Sequence, residues 1–158
     1  MRPSEARALE RAQLVVWVGE GLETFLEKPL ASLGGKARIV EMAALPGIRL
    51  LKPRQGGAWD IHPGHEHEHG HDGEEAYDSH LWLDVDNARI LVAALAGELA
   101  ALDPAHAQAF IANAARVTAR LEALDGDLRT RLSGVTRAPF LVFHDSYQYF
   151  EARYGLNA

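Results

Sequence analysis

The sequence predicts an α/β fold in which a parallel sheet is flanked by helices, and three observations indicate it. The runs QLVVWV at 13–18 and ARIVEM at 37–42 are apolar and β-branched, as buried parallel strands are. A helical pattern at 20–33 lies between them, and this alternation is typical of α/β layer folds. A further run, FLVF at 140–143, predicts another buried strand.

The first two helices are predicted from cap residues and spacing. Pro3 and Ser4 begin a short polar helix that runs to about Arg11, with Ser4 as the cap and Pro3 just outside it. The helix at 20–33 carries apolar side chains on one face. Gly34-Gly35 is expected to end it.

The second half of the chain is predicted to be mainly helical. Asp84 can cap a helix with one apolar stripe. Pro104 starts a second, longer helix that continues to about Leu132 with a narrow stripe of apolar residues. Residues 147–154 form a last short helix, which Gly155 ends.

Composition narrows the possible functions. The formal net charge of −6 argues against nucleic acid and anionic membrane surfaces as partners. The chain has no cysteine, so disulfides and thiolate metal sites are excluded. No apolar run could span a bilayer, and no signal peptide precedes the first helix. Two interpretations stay open: an intracellular protein, or one whose original N-terminus has been lost.

A histidine-rich loop interrupts the α/β pattern. Residues 47–78 are rich in glycine and proline, and a loop of this length is normally functional or disordered. Carboxylates alternate with its five histidines, which are His62, His65, His67, His69 and His71. Imidazole and carboxylate suit zinc and neighbouring transition metals. We therefore expect the loop, at about 56–75, to be mobile and to bind zinc weakly.

The same loop contains a misleading motif. Residues 65–69 and 67–71 both match H-E-x-x-H, the zinc-protease signature. That motif requires a helix to place its histidines on one face, and Pro63, Gly64 and Gly70 argue against a helix here. A terminal purification tag is also excluded, because the loop is neither terminal nor uniform.

Two more histidines occupy favourable positions. His80 follows the loop and precedes a capped helix, in the segment HLWLD. His144 directly follows FLVF, and ligands of open α/β sheets bind at the carboxyl ends of strands. Asp145 is a possible ligand or an orienting partner of the neighbouring histidine, or it caps the last helix.

These segments together resemble the metal-specific receptors of ABC transporters, and among them the zinc-uptake receptors. The matching stretches are RPSEARALERAQLVVWVGEGLETFLEKPL, the His/Asp/Glu-rich loop, HLWLD and FHDSYQYF, in that order. The resemblance implies a bilobal solute-binding fold with a long linker helix between the lobes and one zinc ion in the cleft. It also implies that His80 and His144 are metal ligands, one from each lobe.

The resemblance also predicts the domains and some missing parts. Residues 1–103 would be a partial N-terminal lobe, 104–134 the linker helix and 135–158 the start of a C-terminal lobe. A first ligand histidine is expected upstream of the R-P-S motif, where Met1 stands, and a late carboxylate ligand beyond the last residue. The chain is therefore expected to be truncated at both ends, to bind zinc more weakly than a complete receptor, and to self-associate.

The function implied is a non-enzymatic periplasmic receptor that captures zinc and delivers it to a membrane permease. One alternative is a manganese receptor of the same family, although a histidine-rich loop favours zinc over manganese. Another is a zinc-dependent hydrolase built on His80, His144 and a carboxylate, which would need an open coordination position and a general base. A third is a vestigial fragment without a physiological ligand.

Overall fold

The computed structural model describes residues 2–33, 35–54 and 77–157. Its elements are α1 (Pro3–Arg11), β1 (Leu14–Trp17), α2 (Glu27–Leu33), β2 (Arg38–Glu41), α3 (Val85–Leu102), α4 (Ala107–Leu132) and α5 (Gln148–Tyr154). Short 3₁₀ turns lie at Thr24–Leu26, Leu81–Leu83 and Pro104–His106. The mixture of helices with a parallel sheet confirms the predicted α/β class.

The two predicted strands pair with each other in parallel. The register joins Leu14 to Arg38, Val15 to Ile39, Val16 to Val40 and Trp17 to Glu41. The predicted burial of β1 is only partly right: Trp17 is buried, but Val16 is 42% exposed. This strand has one neighbour in the described part of the chain, so one of its edges is not covered by another strand.

The core gathers residues from three distant parts of the chain. Met42 follows β2, Leu81 starts the turn after His80, and Tyr149 lies in α5; each is at most 1% exposed. Partly buried side chains pack around these three, namely Val18, Ala43, Ile48, Leu51, Tyr77, Leu83 and Leu91. The core therefore lies just beyond the carboxyl ends of both strands.

A buried amide joins the segment after β2 to the start of α3. Asn87 is 1% exposed; its Oδ1 accepts a hydrogen bond from the backbone N of Arg49 at 2.8 Å. Its Nδ2 donates to the backbone O of Arg49 at 3.0 Å and of Leu81 at 3.1 Å. Because these bonds satisfy the amide, its burial holds the turn that follows His80 in a fixed place.

The helices predicted in the second half are confirmed. Asp84 caps α3, and its Oδ1 accepts from the backbone N of Asp86 at 2.8 Å. Pro104 opens a 3₁₀ turn that leads directly into α4, and Gly155 ends α5 with φ +67°. None of the helices in the described ranges is both long enough and apolar enough to cross a membrane.

Two details near the N-terminus differ from prediction. The cap of α1 is Arg2 rather than Ser4, so Pro3 is the first helical residue, where its missing N–H has no consequence. The helix predicted at 20–33 starts late, at Thr24 with a 3₁₀ turn. The carboxylate of Glu23 accepts from the backbone N of Val18 at 3.0 Å, which favours a turn over a helix there.

The strand predicted at 140–143 is wrong. The segment has no strand conformation, and Leu141 and Phe143 are 99% and 103% exposed. The physical reason is that a strand needs a partner, and the sheet described here consists of β1 and β2 alone. The predictions of mobility for the loop at about 56–75, and of Gly34 as part of a helix stop, fall outside the described residues.

Candidate metal centre

The structure brings together the two histidines that the sequence singled out. The ring centroids of His80 and His144 are 5.9 Å apart, with 53° between the ring planes. A zinc ion lies about 2.1 Å from each imidazole nitrogen, which places two ligand rings roughly 5–6 Å apart. The spacing therefore suits two imidazoles that share one ion. His144 is exposed and His80 is half-buried, so the pair opens to solvent.

A carboxylate holds one ring of the pair. Oδ1 of Asp78 lies 2.7 Å from Nδ1 of His80 and also accepts from the His80 backbone N at 2.9 Å. Asp78 is buried at 8% exposure. This contact makes Nδ1 the hydrogen-bonding nitrogen and leaves Nε2 available as a ligand, the usual arrangement of a carboxylate behind a metal-binding histidine.

Asp78 is itself fixed by the core. The hydroxyl of the buried Tyr149 donates to the backbone O of Asp78 at 2.9 Å and accepts from the backbone N of Leu51 at 2.9 Å. The backbone N of Asp78 donates to the backbone O of Leu51 at 2.8 Å. A tyrosine of α5 therefore supports the residue that orients His80.

Asp145 has a different partner from those considered in the sequence. Its Oδ1 lies 3.3 Å from Nη2 of Arg54, which also pairs with Glu151 at 2.9 Å. Burial raises the pKa of Asp145 above its ordinary value, and the charge of Arg54 opposes that rise. Asp145 does not cap α5, whose cap residue is Tyr147 without a side-chain bond.

The described residues supply two imidazoles to this centre and no more. Across 2–33, 35–54 and 77–157, no group of three or more His, Asp or Glu side chains is placed to hold a metal ion. The loop histidines, His62, His65, His67, His69 and His71, lie outside the described residues. His106 is far along the chain, at the start of α4, where its Nδ1 lies 2.7 Å from Oδ2 of Asp103.

Sequence reasoning missed the residues that support the pair. The short spacing D-S-H at 78–80 was a signal for Asp78, because a carboxylate two residues before a histidine can reach its ring. Tyr149 gave no local signal: its contacts to Leu51 and Asp78 depend on how α5 packs.

The fold defines the class of this protein. A parallel sheet, helices around it and a long α4 match the solute-binding fold of solved ZnuA structures. A crystal structure of ZnuA superposes with a TM-score of 0.79 at 28% identity, over 98% of this chain and 54% of that chain. The crystal structure of a ZnuA mutant with residues 138–173 deleted and zinc bound gives 0.77 at 27% identity, over 98% and 52%.

The sequence comparison gives the family. All 158 residues match the family described as zinc-uptake complex component A, periplasmic, and the chain belongs to that family. The high-affinity zinc uptake system protein ZnuA of Brucella abortus (strain 2308) is 38% identical over 187 residues, covering 100% of this chain and 54% of the relative. The chain therefore spans about half the length of the curated relatives it matches.

Proposed function

We propose that this chain is the zinc-binding part of a periplasmic receptor that captures zinc for an ABC transporter and delivers it to the membrane permease. The observation that carries the proposal is the 5.9 Å approach of the His80 and His144 rings, with Asp78 behind Nδ1 of His80. Relatives in the family bear the name high-affinity zinc uptake system protein, which supports zinc as the ion.

The ligand chemistry supports zinc over a harder ion. Neutral imidazole nitrogens suit zinc, whereas manganese and calcium favour oxygen donors. Two imidazoles are fewer than the three or four protein ligands of a firmly held zinc ion. Water or further protein ligands would complete the coordination, so the affinity of this chain is expected to fall below that of a full-length relative.

A receptor has to release its ion unchanged, and the proposal is accordingly non-enzymatic. We assign residues 1–103 to a metal-binding lobe, 104–134 to a linker helix and 135–158 to the start of a second lobe. His80 and His144 would then contribute from different lobes. Turnover of ester or peptide substrates by the zinc-loaded chain would favour a hydrolase instead.

A zinc titration of the chain tests both the centre and the loop. We expect one tighter zinc site at the His80–His144 pair and additional weaker sites at the loop histidines, whose imidazoles and neighbouring carboxylates are suitable zinc ligands. Deleting 62–71 should lower the zinc stoichiometry measured by calorimetry without weakening the tighter site. A tenfold excess of Mn²⁺ should displace little of the tightly bound zinc, measured by chelator competition.

The matched control keeps the length of the loop and replaces its five histidines by glutamine. It should bind as little extra zinc as the deletion does. An unchanged stoichiometry in both variants would show that the loop holds no zinc, and ready displacement by Mn²⁺ would point to a manganese receptor.

We also propose that the chain self-associates through the segment at 140–143. Leu141 and Phe143 are fully exposed, and an apolar groove of about 480 Å³ runs beside them. Replacing both residues by serine should weaken association at least about tenfold, since each buried apolar side chain stabilises by about 1.5–3 kcal/mol. Sedimentation velocity over a concentration series measures this.

The control for that experiment replaces Ile111 and Leu124, which are 51% and 47% exposed on α4. The serine variants at these positions should associate like the unmodified chain. A monomer at every concentration tested, or an equal loss of association in the control, would contradict the proposal.

A further inference from the structure

Arg153 in α5 forms an ion-pair cluster that no motif in the sequence indicated. Its side chain is 9% exposed. Nη1 donates to Asp84 and to Asp86 at 2.9 Å each, and Nε donates to Asp125 at 2.6 Å. One guanidinium therefore joins the start of α3, the second half of α4 and α5.

The cluster is reinforced by groups that already have structural roles. Oδ1 of Asp84 caps α3 and accepts from Arg153 as well. The hydroxyl of Tyr154 donates to Oδ1 of Asp125 at 3.0 Å, and the Arg153 guanidinium holds the pKa of the Asp125 carboxyl well below its usual range. Asp84 is 4% and Asp125 18% exposed, so losing the arginine between them costs more than losing an exposed pair. Asp86, by contrast, is 61% exposed, and the three carboxylates are also contacted by Arg49, Arg89 and Arg129.

The position of α5 depends on contacts of this kind. A helix of seven residues is not stable by itself, so its place is set by what it packs against. His144 precedes this helix in a segment with no strand partner in the described part of the chain. His80 precedes Asp84 by one 3₁₀ turn. The residues of the cluster therefore lie close in sequence to both histidines of the pair.

We propose that Arg153 is a positioning residue that sets the distance between the His80 and His144 rings by clamping α5 to the start of α3 and to α4. The expected effect on zinc affinity rests on the proposed function, whereas the expected effect on the distance between the two rings does not. The pair is thereby assembled before the ion arrives, and zinc need not supply the free energy that orders the segment carrying His144.

The first test is zinc affinity of the whole chain by chelator competition. Arg153→Met should weaken binding by about tenfold or more, because zinc binding would then have to order the segment that carries His144. Arg131→Met is the control, because Arg131 is 73% exposed and pairs with Asp127 within α4, away from the Arg153 cluster. It should bind zinc like the unmodified chain.

The second test separates positioning from general stability. In a His144→Ala background, Arg153→Met should change the affinity by no more than about twofold, because the ring it positions is gone. An equal loss in both backgrounds would mean that Arg153 acts on folding alone and would overturn the proposal.

The third test needs no metal. Nuclear Overhauser contacts between the His80 and His144 rings should be present in the zinc-free chain and lost in Arg153→Met. Persistent contacts in that variant would overturn the proposal, whatever the zinc affinity does. If His144→Ala binds zinc normally, the proposed function fails, and the ring contacts still decide the role of Arg153.

Arg153→Lys keeps the charge but lacks the planar fork that reaches three carboxylates. This variant tests the same proposal if Arg153→Met does not fold. The lysine variant should show weakened ring contacts and intermediate zinc affinity, and full retention of both would contradict the proposal.

Discussion

Replacing His80 and His144 together with alanine is expected to lower zinc affinity at the tighter site by at least about 100-fold, since each lost ligand removes about 1.4 kcal/mol or more, which is a factor of ten. The two ring centroids lie 5.9 Å apart, and the described residues contain no group of three or more possible metal ligands that could take the ion instead. Each single alanine variant should lose about tenfold or more. The loop histidines should be glutamine in every variant, so that they cannot substitute for the missing rings.

The control for this experiment is His106→Ala. His106 is a histidine of the same chain, but its side chain is 69% exposed and pairs with Asp103 at the start of α4. Its removal should leave zinc affinity within about twofold, as expected for a distant and independent position. If the double variant also binds within about twofold of the parent, the assignment of the site to His80 and His144 is wrong.

Removing the hydroxyl of Tyr149 is expected to lower the free energy of unfolding by about 2 kcal/mol. The side chain is fully buried, and its oxygen joins the backbone N of Leu51 to the backbone O of Asp78. In Tyr149→Phe both backbone groups lose this partner inside the core, which costs more than an exposed hydrogen bond would. Urea unfolding of the zinc-free chain measures the change.

Tyr147→Phe is the matched control, because Tyr147 belongs to the same segment but is 44% exposed. Its unfolding free energy should stay within about 0.5 kcal/mol of the parent. Tyr149→Phe should also weaken zinc binding, because Asp78 orients His80. A stability loss in Tyr149→Phe no larger than that of the control would contradict the role given to this hydroxyl.

Local chemistry explains the parts of the fold that the sequence predicted well. Asp84 caps α3, and Pro104 begins the turn into α4, because capping and helix initiation involve residues within one turn of each other. Gly155 ends α5 because glycine adopts a positive φ without strain. The strands β1 and β2 were also found, since each is a short apolar run between breaks in the chain.

The candidate site was predicted only in part. His80 and His144 were identified through the segments HLWLD and FHD, and the structure places their rings side by side. Asp145 was considered as a metal ligand, an orienting partner or a cap, and in the structure it pairs with Arg54. The supporting residues Asp78 and Tyr149 were not identified, because their roles are contacts across the fold rather than patterns along the chain.

The sequence by itself determined the α/β class, the order of the helices along the chain and the two histidines that the fold brings together. Only the tertiary structure decided that 140–143 is not a strand, since apolar residues extend into a strand only where another strand can accept their hydrogen bonds. It alone also revealed that Arg153 joins α3, α4 and α5. An ion pair between distant segments follows from how helices pack, and no local periodicity encodes it.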